Sequence, residues 1–157
     1  MKHPVHYCKS WFRAKKRTTE LWPAEKAEAA HLQRQPYTAL VGSAERPYCF
    51  VDVAAKVVVV GFLDSLLRES LTYAFNEVEA GKLFMTMAVH REFEADTDNV
   101  TGGVTYIFDR SGTMRIRREY FRPHRAETAT SSFDPAPLYD MRPEFGQYDD
   151  LIRVERQ

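Results

Sequence analysis

The sequence predicts an α+β fold: a twisted antiparallel β-meander of five to seven strands, curved as a half-barrel or cone, with flanking N-terminal and C-terminal helices. Three observations carry this reading. Prolines stand at 4, 23, 36 and 47 and again at 123, 135, 137 and 143, with none from Tyr48 to Arg122, and a residue without a backbone donor is kept out of central strands. Inside that interval, short glycine-bearing polar turns separate segments of alternating polarity, as in hairpins. Outside it, two segments carry residues at helical spacing with charges suited to the helix dipole.

The first element is a helix over residues 23–34. Proline fits its first turn, and Glu25 and Glu28 complement the positive end of the dipole, although its apolar face is mostly alanine. Residues 48–53 and 56–60 then read as a strand pair, the second apolar enough to be buried on both faces. Residues 62–71 have apolar side chains at steps of three and four, with Asp64 placed as the N-cap of a short helix; the same residues can instead open the next strand.

Residues 71–78 and 83–89 flank Gly81 and form a hairpin. Residues 104–108 and 113–121 flank Asp109-Arg110-Ser111-Gly112 and form a second. The polar stretch from Asp96 to Asn99, followed by Gly102-Gly103, joins them into a four-stranded meander, to which residues 126–133 add a fifth strand. A closing helix is expected over 147–155, where Tyr148, Leu151 and Ile152 step by three and four between early acids and late arginines. The expected organisation is one domain over 1–157: an amino-terminal arm and helix to residue 47, a sheet over 48–133, and a carboxyl segment with its short helix over 134–157.

Alternation also predicts which face is interior. Leu83, Met85, Met87, Val89 and Phe93 share one side of their strand, interrupted by Arg91, and they align with Leu71, Tyr73 and Phe75, with Val104, Tyr106 and Phe108, and with Met114, Ile116 and Tyr120 beside Arg118. A concave aromatic face of this kind is covered by helices or by closure toward a barrel.

Charge removes several function classes. The chain has 22 basic and 22 acidic side chains among 157 residues and a net charge of zero, whereas a nucleic-acid binder needs a surplus of Lys and Arg to displace phosphate counterions. No apolar run approaches the roughly 18 residues of a spanning helix, and Met1-Lys2-His3-Pro4 lacks the apolar core of a secretory signal. These readings predict no nucleic acid, no membrane and a cytoplasmic location, with Cys8 and Cys49 as reduced thiols. The balance is segregated, however: acids cluster over 77–98, while Arg115, Arg117, Arg118, Arg122 and Arg125 make a basic stretch opposed only by Glu119.

The candidate sites follow from that pattern. His90 and Glu92 lie two residues apart on the other, solvent face of the strand that carries Leu83 and Met85, with Phe84, Thr86, Ala88 and Glu94; they are suited to acid–base work or to metal ligation, and alternating charge on a solvated strand yields the same letters. Arg118 and Tyr120, with Tyr106, would form the polar end of a pocket, unless Arg118 snorkels to solvent at a strand end. Arg115, Arg117 and Arg122 form a grip for an acidic partner, or pair with neighbouring acids across strands. The amino-terminal set His3, His6 and Cys8 lacks a second ligand pair, and the segment 96–101 departs from a calcium loop at Val100 and Thr101. No metal and no cofactor are expected, and Ser65, Ser111 and the cysteines have no base placed by sequence. The basic, aromatic stretch of Lys2, Lys9, Arg13, Lys15, Lys16 and Arg17 around Trp11 and Phe12 is a solvated segment or a binding arm.

Two functions remain. The first is a non-enzymatic protein-binding module that masks or sequesters a protein partner in the manner of an immunity protein, with Arg115, Arg117 and Arg122 at the interface. The second is a half-barrel domain that binds a small apolar ligand, or acts as an enzyme on one, through His90, Glu92, Tyr106, Arg118 and Tyr120. A void lined by Tyr73, Phe75, Met85, Tyr106 and Tyr120 with Arg118 inside would favour the second.

Overall fold

In a computed structural model, which describes residues 3–156, the strands in chain order are β1 (Val5–Cys8), β2 (Trp11–Phe12), β3 (Arg17–Thr18) and β4 (Leu21–Trp22). Helix α1 (Ala24–Leu32) follows, then β5 (Tyr37–Val41), β6 (Cys49–Val53), β7 (Val57–Leu63), β8 (Glu69–Glu79), β9 (Lys82–Phe93), β10 (Val100–Phe108), β11 (Thr113–Phe121) and β12 (His124–Ser132). A 3-10 turn at Ala136–Leu138 leads into β13 (Tyr139–Met141). Eleven of these strands form one open antiparallel sheet in the order β12-β11-β10-β9-β8-β7-β6-β5-β1-β4, with β13 beside β9, while β2 and β3 make a separate hairpin. The meander expected from the sequence is its centre, but the sheet has more strands than the five to seven predicted.

The amino-terminal region is not just an arm and a helix, because β1, β4 and β5 extend the sheet on one side. Its prolines sit at strand boundaries: Pro4 precedes β1, Pro23 follows β4 and Pro36 precedes β5. Proline marks where these strands stop, so its presence did not exclude strands between. Helix α1 lies where it was expected, with Pro23 at its N-cap and Ala27 buried. Gly81 and Gly112 turn the two expected hairpins at positive φ (77° and 97°), a conformation that only a residue without a Cβ adopts at no cost.

Neither further helix forms. Strand β7 runs on through Leu63, and Asp64 accepts hydrogen bonds from the backbone N–H of Leu66 (2.9 Å) and Arg68 (3.0 Å) and from Arg68 Nε (2.8 Å), making a tight turn into β8. Near the carboxyl end, Tyr148 accepts from the amides of Leu151 (3.0 Å) and Ile152 (3.2 Å), and the coil goes no further. The carbonyls of Asp150 and Leu151, which a continuing helix would offer to later amides, instead accept from Arg156 Nη2 at 2.9 and 3.0 Å.

Two apolar layers flank the sheet. On one side Tyr7, Tyr37, Val51, Val60, Phe75 and Leu83 pack under α1 and the carboxyl segment, which supplies Tyr148, Leu151 and Ile152. On the other, Cys8, Leu40, Phe50 and Leu63 pack under the β2–β3 hairpin through Trp11. Strands β5, β6 and β7 are therefore buried on both faces, which is why they read as continuous apolar runs.

The interior face of β9 differs from simple alternation. Ala74 pairs with Met87 and Phe75 with Met85, so Thr86 is an extra residue between them. Such a bulge inverts the phase of every later residue. Leu83 and Met85 face the main core as expected; beyond the bulge Ala88 and His90 take that side, and Met87 and Val89 the other. Strand β9 also divides its outer edge, with residues 82–84 paired to β13 and residues 87–93 to β10.

Candidate functional site

The covering elements stop at β9. The three strands beyond it, β10 to β12, form a wing whose outermost strand is exposed at all nine residues, although Phe133, just after it, packs against Phe108 at 5.3 Å. The composition of the wing explains why it stands without a cover: β12 has no side chain larger than its Arg and His, and β11 alternates apolar residues with arginines.

Register assigns each predicted site residue to a face of the wing. Gly102 sits opposite both Glu92 and Tyr120, Val104 opposite both His90 and Arg118, and Tyr106 opposite Ala88 and Ile116. His90, Glu92, Tyr106, Arg118 and Tyr120 therefore share one face, in adjacent cross-strand rows. The rows leave them apart, separated by Gly102 or Val104, and only His90 and Tyr106 meet, ring edge to ring face at 6.2 Å. His90, Glu92 and Arg118 are exposed, so the interior environment expected around Arg118 is absent. Half-buried Tyr106, Phe108, Met114, Ile116 and Tyr120 form an aromatic and aliphatic surface on this side, with Arg125 lying over the Tyr120 ring at 4.3 Å.

The opposite face carries Arg115 and Arg117, together with Ile107 and Phe121, each 42% exposed. Arg117 Nε donates to Glu119 at 3.0 Å within its own strand, and Arg122, in the turn between β11 and β12, reaches Glu94 at 2.9 Å. The basic stretch is thus split by the pleat: Arg115 and Arg117 on one side, Arg118 on the other, Arg122 at the tip. Of the acids over 77–98, only Glu94 pairs with this stretch among the described residues.

Both faces of the wing carry a concavity: one of about 250 Å³ lies on the arginine face between Arg91, Gly103, Thr105, Glu119 and Phe121. The other, a basin of about 250 Å³, lies on the aromatic side, lined by Tyr73, Met85, His90, Tyr106, Met114 and Arg156. Tyr73, Met85 and Tyr106 were predicted from sequence, whereas Phe75, Tyr120 and Arg118, expected there as well, are not among the lining residues. Arg156 was missed, because a charged residue next to a chain end gives no sign of burial. Its guanidinium is buried against the Phe75 ring (4.9 Å), bonds Asp140 through Nη1 (2.9 Å), and leaves Nε without a partner. The basin is open to solvent and holds no convergent acid–base pair.

A larger cleft, about 450 Å³, lies beneath the β2–β3 hairpin, between Trp11, Arg13, Lys16, Glu69, Arg91 and Phe93. Arg13 Nε donates to Glu69 (2.7 Å) and Lys16 to Asp98 (2.7 Å), so these two residues of the basic amino-terminal stretch clasp the hairpin to the rest of the fold; Lys2 lies outside the described residues. Thr72 donates to Glu69 as well. Burial and the nearby Glu69 raise the Asp52 carboxyl above its usual range, against the lowering pull of Thr38 and Arg13. Every base in the cleft is committed to an acid, a hydroxyl or a carbonyl, which makes it a structural network.

Cys8 and Cys49 are buried and unpaired, and burial pushes each thiol up to about 12. Among the described residues no group of three or more His, Cys, Asp or Glu side chains could hold a metal ion, and no helix is long and apolar enough to cross a membrane. No protein-family model, no curated protein and no solved structure matches the chain.

Proposed function

We propose that the chain is a non-enzymatic protein-binding module that masks or sequesters an acidic protein partner in the cytoplasm, and that the β10–β12 wing is its contact surface. The observation that carries this reading is that both faces of the wing are open beyond the Tyr106–Phe108 end of β10, which packs against the core and Phe133, yet bear the residues that anchor interfaces. One face offers Tyr106, Met114, Ile116 and Tyr120; the other offers Arg115, Arg117 and Phe121. Aromatic, Met and Arg side chains are enriched in interfaces and dominate binding energy, and contiguous exposed apolar surface rimmed by charge is characteristic of interaction sites. Arg115 and Arg118 have no ion-pair partner among the described residues, so their charge is available to an acidic partner. Replacing Arg115 and Arg117 with alanine should weaken partner binding at least tenfold with folding intact; unchanged affinity removes that face from the interface.

The basin supports a second reading, a small apolar ligand held between Tyr73, Met85 and Tyr106 with His90 and Arg156 at its rim. Pockets of a few hundred Å³ lined by aromatics suit such ligands. A small molecule that co-purifies with the wild type and is lost on Tyr106→Ala would favour it over the partner-binding reading.

A further inference from the structure

The two ends of the sheet differ. At one end the last strand is β4, two residues long. At the other, β12 runs for nine residues in unbroken register with β11, from Thr113 opposite Ser132 to Phe121 opposite His124. It has no proline, glycine or bulge, and from Thr128 to Ser132 it has no charge. Proteins ordinarily blunt a long bare edge with a proline, a bulge or charge, because its unpaired amides and carbonyls are a template for another strand, and here charge is confined to one of its ends, at Arg125 and Glu127.

The hydrogen-bond phase identifies the free groups. Phe133 donates its N–H to the Gly112 carbonyl (2.9 Å), and in an antiparallel ladder alternate residues bond to the same neighbour. The odd residues 125–131 therefore bond β11. His124, Ala126, Thr128, Thr130 and Ser132 point their N–H and C=O groups away from the sheet.

From this phase we infer that β12 pairs antiparallel with the β12 of a second copy of this chain, about a two-fold axis at Thr128. That register sets His124 against Ser132, Ala126 against Thr130 and Thr128 against itself. All are outward-pointing residues, so each facing pair exchanges two hydrogen bonds, or about ten in all. No other two-fold register uses the full strand. Arg125 then lies opposite Ser131 and Glu127 opposite Ala129, so no like charges face each other directly. Alanine, serine and threonine along the edge raise no steric barrier to close approach. The isologous contact would join the two sheets edge to edge through their wings, six wing strands side by side, leaving both wing faces open; it rests on the edge, and the proposed partner binding rests on the faces.

Sedimentation velocity across micromolar to near-millimolar concentrations tests the pairing on three chains. The wild type should dimerise with concentration, and Thr128→Pro should be monomeric, because that N–H points outward and its loss breaks no bond to β11. Thr128→Cys should form a disulfide-linked dimer under mild oxidation, a signal that Cys8 and Cys49, both fully buried, do not confuse. Circular dichroism must show both variants folded; if Thr128→Pro is not, the Thr128→Cys crosslink decides alone. A wild type that stays monomeric throughout, or a dimer that survives Thr128→Pro while Thr128→Cys gives no crosslink, overturns the inference. Loss of partner binding in Arg115→Ala/Arg117→Ala with the dimer intact would separate the two surfaces.

Discussion

Tyr37 and Tyr148, 111 residues apart, share a buried hydrogen bond of 2.9 Å between their hydroxyl groups. Tyr37 also bonds His31 Nδ1 at 2.8 Å, so the contact ties α1, β5 and the carboxyl segment into one network. A buried hydroxyl stripped of its partner costs roughly 1–3 kcal/mol. Tyr148→Phe and Tyr37→Phe should each lower stability by about that amount, and the double variant by less than the sum, as groups in one network couple. Urea denaturation of the three variants measures this; strict additivity would show that the two hydroxyls act independently.

The same cluster predicts alkaline lability. Burial holds the Tyr37 hydroxyl up to about 12, and burial with the neighbouring tyrosines pushes Tyr7 and Tyr148 further the same way, against roughly 10 in the unfolded chain. The folded state keeps protons that the unfolded state loses, so stability is fully present below about pH 10 and falls as pH rises from there through about 12. Denaturation midpoints measured on either side of about pH 10 should drop at the alkaline end, and Tyr148→Phe should flatten that drop.

Arg156 and Asp140 form a buried pair, 3% and 8% exposed, with Nη1 to Oδ2 at 2.9 Å. Removing one member of such a pair strands the other charge and costs roughly 3–5 kcal/mol, whereas replacing both with apolar residues is often near neutral. Arg156→Leu should therefore unfold far more readily than Arg156→Leu/Asp140→Leu. Arg153 reaches the same Asp140 oxygen at 3.4 Å but is half exposed, so it compensates only in part.

Gly61 in β7 faces the Phe50 ring across the strand pair, and a Cβ there would overlap ring carbons. Overpacking of this kind costs about 1–3 kcal/mol. Gly61→Ala should lower the denaturation midpoint, and adding Phe50→Leu should recover part of the loss; an unchanged midpoint in the single variant would mean that the ring moves aside freely.

The meander, α1 and the hairpin glycines were legible because local chemistry decides them: Gly81 and Gly112 sit where the turn requires positive φ. The missing parts depend on distant partners. Nothing near Thr86 announces the bulge, which exists only in the pairing of β8 with β9. The helical spacing of Tyr148, Leu151 and Ile152 marked three residues that do enter the core, yet Arg156 takes the carbonyls that a helix needed. Of the site residues, alternation put Tyr106, Arg118 and Tyr120 on one face but set His90 and Glu92 on the other; the bulge at Thr86 inverts the phase of β9 and brings all five to the same side. That the face is uncovered did not follow, because cover depends on where the carboxyl segment lies.

Protein binding by the open wing can be seen in a single experiment. The measurement is native mass spectrometry of the tagged chain, isolated gently from cells beside Arg115→Ala/Arg117→Ala. The wild type should appear as a defined complex with an acidic protein, and the variant as the free chain alone at equal folding by circular dichroism. A wild type that carries no protein but retains a small molecule, lost on Tyr106→Ala, would contradict it.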